Sequence, residues 1–207
     1  MIPYSRQSIS EQDIEEVIKV LKSEMITQGP VGEKFEKKIC LYTSCNYSVL
    51  TNSATSALHL ACLVLGLGSG DILWTSPNSY VASANVGLFC NAEVDFVDID
   101  PRTYNMCPNA LDQKLQKAEM NGKLPKIVMP IHFAGQSCEM ASIKKLSEKY
   151  NFKIIEDASH AIGGEYNGQR IGSCIFSDIT VFSFHPVKII TTGEGGCALT
   201  NDPKIFE

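Results

Sequence analysis

No stretch of this 207-residue sequence is apolar for long enough to span a bilayer, and the first ten residues, MIPYSRQSIS, contain no apolar signal core. Long runs of one charge are also missing. The 18 basic and 23 acidic residues are interspersed, giving a net charge of -5. That balance argues against a nucleic-acid or anionic-membrane surface. There is no internal repeat and no low-complexity linker. Eight cysteines are present, yet none forms a C-x-x-C pair and none stands with histidine at zinc-finger spacing. Several lie inside apolar runs, where a free thiol acts as a small hydrophobe. The expectation is a cytoplasmic chain with reduced core thiols, no metal site and no disulfides.

What is present is a globular composition, 44% hydrophobic and 20% charged. Ser10 followed by Asp13 resembles a helix N-cap, with Ile14, Val17, Ile18 and Leu21 behind it at helical spacing. Short apolar strands then alternate with helical segments. Strands are expected at Tyr47–Leu50, in DILWTS, and at Val94–Val97, Lys126–Pro130, Lys153–Ile155 and Ile179–Phe184. Helices are expected at Ser56–Leu67, Tyr80–Cys90, Ala110–Met120 and Ala141–Tyr150. This order predicts a mainly parallel sheet covered on both faces, a three-layer α/β/α domain. The final ALTNDPKIFE reads as a strand, a turn and one helical turn from Pro203. One turn is expected to bury nothing, so the chain reads as cut short.

Three segments carry chemistry. In NSATSALHL a strand passes through small polar residues into a helix, a ready anion site at which Thr55 and Ser56 add hydroxyls. An ordinary capped helix explains that segment equally well. In IIEDASHAIG, Asp157 closes a buried-type strand, where ligands of open α/β sheets bind. Glu156 competes with it, but strand alternation lets only one of the two face a ligand. In SFHPVKIITTGEGG, Lys188 stands past an apolar strand and before a Gly-rich turn, flanked by apolar residues. A lysine there can sit at the floor of a cleft and act as a desolvated amine nucleophile. Ser183 at the strand end can donate to a phosphate. His185 reads as structural. Tyr80 suits either ring stacking or core packing, and His160 either a cofactor contact or a cap. A phosphate cradle, a carboxylate and an amine nucleophile are what pyridoxal 5'-phosphate asks of a protein.

At this point the sequence resembles the DegT-type sugar-nucleotide aminotransferases of fold type I. The matching stretches are ITQGP with Phe35-Glu36, NSATSALHLA, TSPNSYVASAN, VDIDPRTYN, HFAGQS, EDASHAIGGEYNGQRIG and FSFHPVKIITTGEGG. They run along nearly the whole chain. The resemblance implies that Lys188 is the Schiff-base lysine and that Asp157 pairs with the pyridine nitrogen. His160 takes a place where many members have glutamine. Thr55, Ser56 and Ser183 hold the phosphate, and Tyr80 stacks on the ring. It further implies a large domain over 1–207, with residues 1–30 a helical arm and the smaller C-terminal domain of the family missing. The implied substrates are a nucleotide-linked keto sugar and glutamate as amino donor, and the full-length family form is a homodimer. Within the family the look is nearest the subgroup that aminates a 4-keto sugar nucleotide towards pseudaminic acid. Two rivals stand beside this reading: dehydration on the same fold, where histidine replaces the lysine, and a truncated, non-catalytic protein.

Overall fold

The computed structural model describes residues 2 and 5–207; Met1, Pro3 and Tyr4 of the expected arm lie outside the described residues. The arm contributes α1, Glu11–Leu21, whose Ser10 caps Asp13 N–H while the Asp13 carboxylate accepts from Ser10 N–H, a reciprocal capping box. No residue of α1 is buried. The helix α2, Pro30–Thr43, starts on a proline at its first position and packs on β1, Tyr47–Thr51.

The rest alternates as the sequence predicts: α3 Ala54–Val64, β2 Ile72–Thr75, α4 Ala82–Phe89, β3 Glu93–Phe96, α5 Pro108–Met120, β4 Ile127–Met129, α6 Met140–Tyr150 and β5 Lys153–Asp157. A short hairpin, β6 Glu165–Tyr166 with β7 Gln169–Arg170, follows. Then come β8 Ile179–Ser183, β9 Gly196–Thr200 and α7 Pro203–Phe206. Seven strands form one sheet in the order β1-β9-β8-β5-β4-β2-β3. All neighbours from β8 to β3 pair in parallel, whereas β9 is antiparallel to both β8 and β1.

Strand alternation builds the two faces. Leu73, Ile127, Met129, Ile155 and Val181 pack under α3 and α4 with Ala57, Leu58, Ala61, Cys62 and Val86. Their sequence neighbours Trp74, Val128 and Ile154 point the other way, into Leu111 and Leu115 of α5 and Ile143 of α6. A third cluster joins Phe182, Phe184, Cys197 and Leu199 to Ile39 of α2. Two expectations are corrected. The helix written as Ser56–Leu67 starts two residues earlier, because Ser53 rather than a later residue supplies the cap, accepting from Ser56 N–H. The one-turn α7 does bury surface: Ile205 packs against the α3 core, and the Phe206 ring stacks on Tyr47 at 4.6 Å.

Candidate active site

Because β9 runs against its neighbours, its first residue lies at the same edge of the sheet as the carboxyl ends of the other strands. A cavity of about 760 Å³ opens there. Its walls are the segments that follow β1 (Ser53–Thr55), β2 (Pro77–Tyr80), β4 (Ile131–Ala134), β5 (Asp157, Ser159, His160) and β8 (Ser183–Lys188), with Glu194 and Gly195 before β9. Open α/β sheets bind ligands at this edge.

The floor at α3 is a helix start with backbone donors turned to the cavity. Ala57 N–H is the first to bond back along the helix, to Ser53 O, and Ser56 N–H is taken by the Ser53 hydroxyl. Ala54 and Thr55 N–H are among those a helix leaves without partners, and both residues line the cavity. Gly196 makes this possible: a Cβ there would meet Ala54 N and lie 2.5 Å from Ser53 C. Ser183, nearly buried, faces the same space. Ser56 does not line the cavity. Its hydroxyl is turned into the cap, donating to Asn52 Oδ1 at 2.6 Å.

Asp157 is buried at the end of β5 and lines the cavity. Ser83 Oγ donates to its Oδ2 at 2.7 Å, and Ser159 donates to Oδ1 from both N–H and hydroxyl, at 3.2 and 2.6 Å. Three donors hold this carboxylate in place. Glu156 points to the other face. The Cys138 N–H occupies His132 Nδ1 (3.1 Å), so the ring carries its proton on Nε2 and donates it to Glu156 Oε2 at 2.7 Å. Burial pushes the Glu156 pKa up, but the hydrogen bonds from His132, Ser177 and Thr180 more than offset it, so the net direction is down. This buried pair ties β5 to the loop after β4, where Phe133 N–H also donates to Oδ1 of Asn105, from the segment between β3 and α5, at 2.9 Å.

Lys188 follows a tight turn in which its N–H bonds to His185 O, with Pro186 as the second residue. The loop is closed behind it by Thr191 Oγ1 and Thr192 N–H, both donating to Phe184 O. Burial pushes the Lys188 pKa down, with Asp157 opposing. Its Nζ lies 2.5 Å from His160 Nε2. Tyr80 is 76% exposed at the rim, which excludes core packing; it precedes α4 rather than opening it. His185 is exposed too, so it is no core histidine, and it lines the cavity.

The structure therefore brings Thr55, Tyr80, Asp157, His160, Ser183 and Lys188 to one cavity and leaves Ser56 behind them. The sequence reading missed Ser53, Ser159, Glu194 and the aromatic Phe133 of the cavity wall, and Ser83, which reaches the site through Asp157. Ser83, the second residue of α4, carries no local signal that sets it apart from an ordinary helical serine. An aldehyde cofactor bearing a phosphate and a basic ring nitrogen fits this donor set. It finds anion donors at the helix start, a committed carboxylate and an amine whose proton affinity is lowered.

Residues 7–207 match the family described as DegT/DnrJ/EryC1/StrS aminotransferases. A Campylobacter jejuni protein named UDP-4-amino-4,6-dideoxy-N-acetyl-beta-L-altrosamine transaminase is 41% identical over 100% of this chain and 53% of its own length. Among solved structures, Helicobacter pylori PseC, an aminotransferase involved in the biosynthesis of pseudoaminic acid, superposes with a TM-score of 0.91 at 33% identity. The match covers 99% of this chain and 53% of that one. Spr1654 from Streptococcus pneumoniae, in its PLP form, gives a TM-score of 0.87 at 34% identity over 98% and 54%. The chain spans about half the length of the relatives it matches.

Proposed function

Because this chain belongs to the DegT/DnrJ/EryC1/StrS aminotransferase family, whose members use pyridoxal phosphate, we propose that it forms the cofactor-binding part of a sugar-nucleotide aminotransferase. The amino group passes from glutamate to a nucleotide-linked 4-keto-6-deoxy sugar, in the making of pseudaminic acid or a related surface sugar. One observation carries the reading: Lys188, Asp157 and the α3 anion cradle converge on a single cavity at the carboxyl edge of the sheet. The relatives named for an altrosamine derivative and for pseudoaminic acid support the substrate class.

When bound, the cofactor supplies an aldehyde carbon and an electron-withdrawing ring. In this reading the chain does the rest. Ala54 and Thr55 N–H, with the hydroxyls of Thr55 and Ser183, hold the phosphate. Asp157, held in place by Ser83 and Ser159, would hold a proton at the ring nitrogen. Tyr80 covers the ring from the rim. Lys188 binds the carbonyl and moves the proton between carbons once the donor amine has displaced it. A lysine at this position also speaks against the dehydration chemistry of the related histidine-bearing enzymes. Eight free thiols suit a reducing, cytoplasmic compartment, and no helix among the described residues is long and apolar enough to cross a membrane. A homodimer is the assembly this reading expects.

The test is borohydride reduction of the protein with pyridoxal phosphate, followed by peptide mapping, then turnover of UDP-linked 4-keto-6-deoxy sugars with glutamate. Labelling at Lys188 and amino transfer are the expected results. A cofactor trapped on a different lysine would sink the assignment.

A further inference from the structure

We propose that His160 is the proton acceptor for Lys188 when that amine captures a carbonyl compound. The inference rests on the reading of Lys188 just given and adds a second catalytic residue to it.

Among the described residues, no ion pair includes Lys188. The only side-chain hydrogen bond of its amine there is to His160 Nε2, at 2.5 Å. The other titratable groups facing the pair are committed elsewhere or stand apart. Asp157 of β5 accepts from Ser83 and Ser159. His185 and Glu194, from the loop between β8 and β9, face each other at 3.8 Å. His132, from the loop after β4, is bonded to Glu156 and Cys138. Tyr80 stands exposed at the rim.

His160 is also held in place. Gly135 has φ +88, and a Cβ there would lie 2.7 Å from His160 O, so the loop after β4 presses directly on the His160 backbone. On the other side Ala161 N–H bonds to Ala158 O, closing the turn that carries the imidazole. Burial, and then the charge of Lys188, push the His160 pKa below the usual imidazole value of 6.5. Near neutral pH the ring is therefore unprotonated and able to accept from the amine, although the Asp157 charge opposes the downward shift of both groups.

The step balances without any redox partner. Nε2 takes one proton from the Lys188 ammonium, and the freed lone pair bonds to the carbonyl carbon. A second nitrogen-bound proton passes to the carbonyl oxygen. His160 then returns its proton to that oxygen, which leaves as water while a carbon–nitrogen double bond replaces the carbon–oxygen one. Nothing is oxidised or reduced.

A glutamine at position 160 can keep a hydrogen bond to the amine but cannot carry its proton, which makes His160→Gln the informative variant. His160→Ala leaves room for an added base. Cofactor-free protein is mixed with pyridoxal phosphate, the absorbance change of capture is followed across pH, and the labelled lysine is mapped after borohydride. Capture by His160→Gln should be slower by about 10²-fold near neutrality, the general-base range. The wild-type rate should fall below pH 6.5 along a limb that His160→Gln lacks, since imidazolium cannot accept. Added imidazole should accelerate His160→Ala and leave His160→Gln unchanged. If Lys188 is labelled but the two pH profiles superimpose, or imidazole does nothing for His160→Ala, the relay is wrong and the lysine assignment survives. Capture on another lysine, or no capture by the wild type, overturns the assignment and the relay together.

Discussion

Replacing Gly196 by alanine tests whether the sheet itself sets the anion cradle. Gly196 opens β9 opposite Thr51, and its bare α-carbon faces the turn that starts α3. An added methyl would collide with Ala54 N and lie 2.5 Å from Ser53 C and 2.7 Å from Ala54 Cα. All three are backbone atoms, so no rotamer change relieves the clash. Reaching ordinary contact needs β9 and the turn to part by roughly 1 Å. Overpacking of this kind costs ~1–3 kcal/mol, and a chain of this size loses ~2–4 °C of Tm per kcal/mol. A fall of about 2–12 °C is expected from these ranges. The same displacement moves the Ala54 and Thr55 donors off the phosphate, so affinity for pyridoxal phosphate should drop by roughly tenfold, or ~1.4 kcal/mol. Gly68→Ala is the control, because nothing lies within 4 Å of that position. Thermal melts and cofactor titration of both variants decide the matter. Gly196→Ala with wild-type Tm and wild-type affinity would refute the argument that this glycine seats the cradle.

The two neighbouring carboxylates should separate cleanly. Asp157→Asn should fold normally yet lower turnover by at least ~10²-fold, whereas Glu156→Gln should act on stability. The Glu156 pKa is depressed in the fold, so its contribution is complete above the ordinary value of 4.5 and is lost as pH falls through the lower folded value. Urea midpoints of Glu156→Gln should therefore be flatter across that acid window than those of wild type, and an equal slope would remove the pair from the stability account. For the thiols, Cys45, Cys62, Cys90, Cys138, Cys174 and Cys197 are buried and only Cys40 and Cys107 are partly open. Burial, with help from Cys45, pushes the Cys40 thiol up to about 12. At most two thiols should react promptly with Ellman's reagent in native protein and all eight in denaturant; three or more fast native thiols would contradict the packed core.

What was legible in the sequence is what local chemistry dictates. Ser10 with Asp13 forms the cap that its spacing predicts, and the segments at Asn52, Asp157 and Lys188 follow strand ends because turn residues interrupt apolar runs there, although only the first leads into a helix. What was not legible depends on partners distant in sequence. No local signal says that β9 runs antiparallel, yet that reversal brings Glu194 and Gly195 to the cavity. Ser83 reads as an indifferent helical serine until folding brings the start of α4 to the end of β5 and its hydroxyl reaches Asp157. Alternation separated Asp157 from Glu156 but could not reveal His132, which comes from the loop after β4 to occupy the second carboxylate. The hairpin at 165–170 carried its signal in Asn167-Gly168, both with positive φ, but strands of two residues are too short to show a period.

These two kinds of residue divide the labour at the site. The groups legible in the sequence, Lys188, Asp157 and the α3 turn, are the ones that would touch a ligand, and each is delivered by its own strand. The groups that were not legible, Ser83, Ser159 and His132, are bonded to the two carboxylates. They fix which carboxylate faces the cavity and keep it aimed. Asp157 and Glu156 have the same chemistry and adjacent positions. Only their partners distinguish them: three neutral donors and an open cavity for one, a buried imidazole for the other. The identity of the ring-facing acid is thus a property of the packed sheet, and swapping partners should matter more than swapping aspartate for glutamate. A His132→Phe substitution, which removes the Glu156 partner while leaving Asp157 its serines, should therefore disturb stability and the loop after β4 before it disturbs the carboxylate in the cavity.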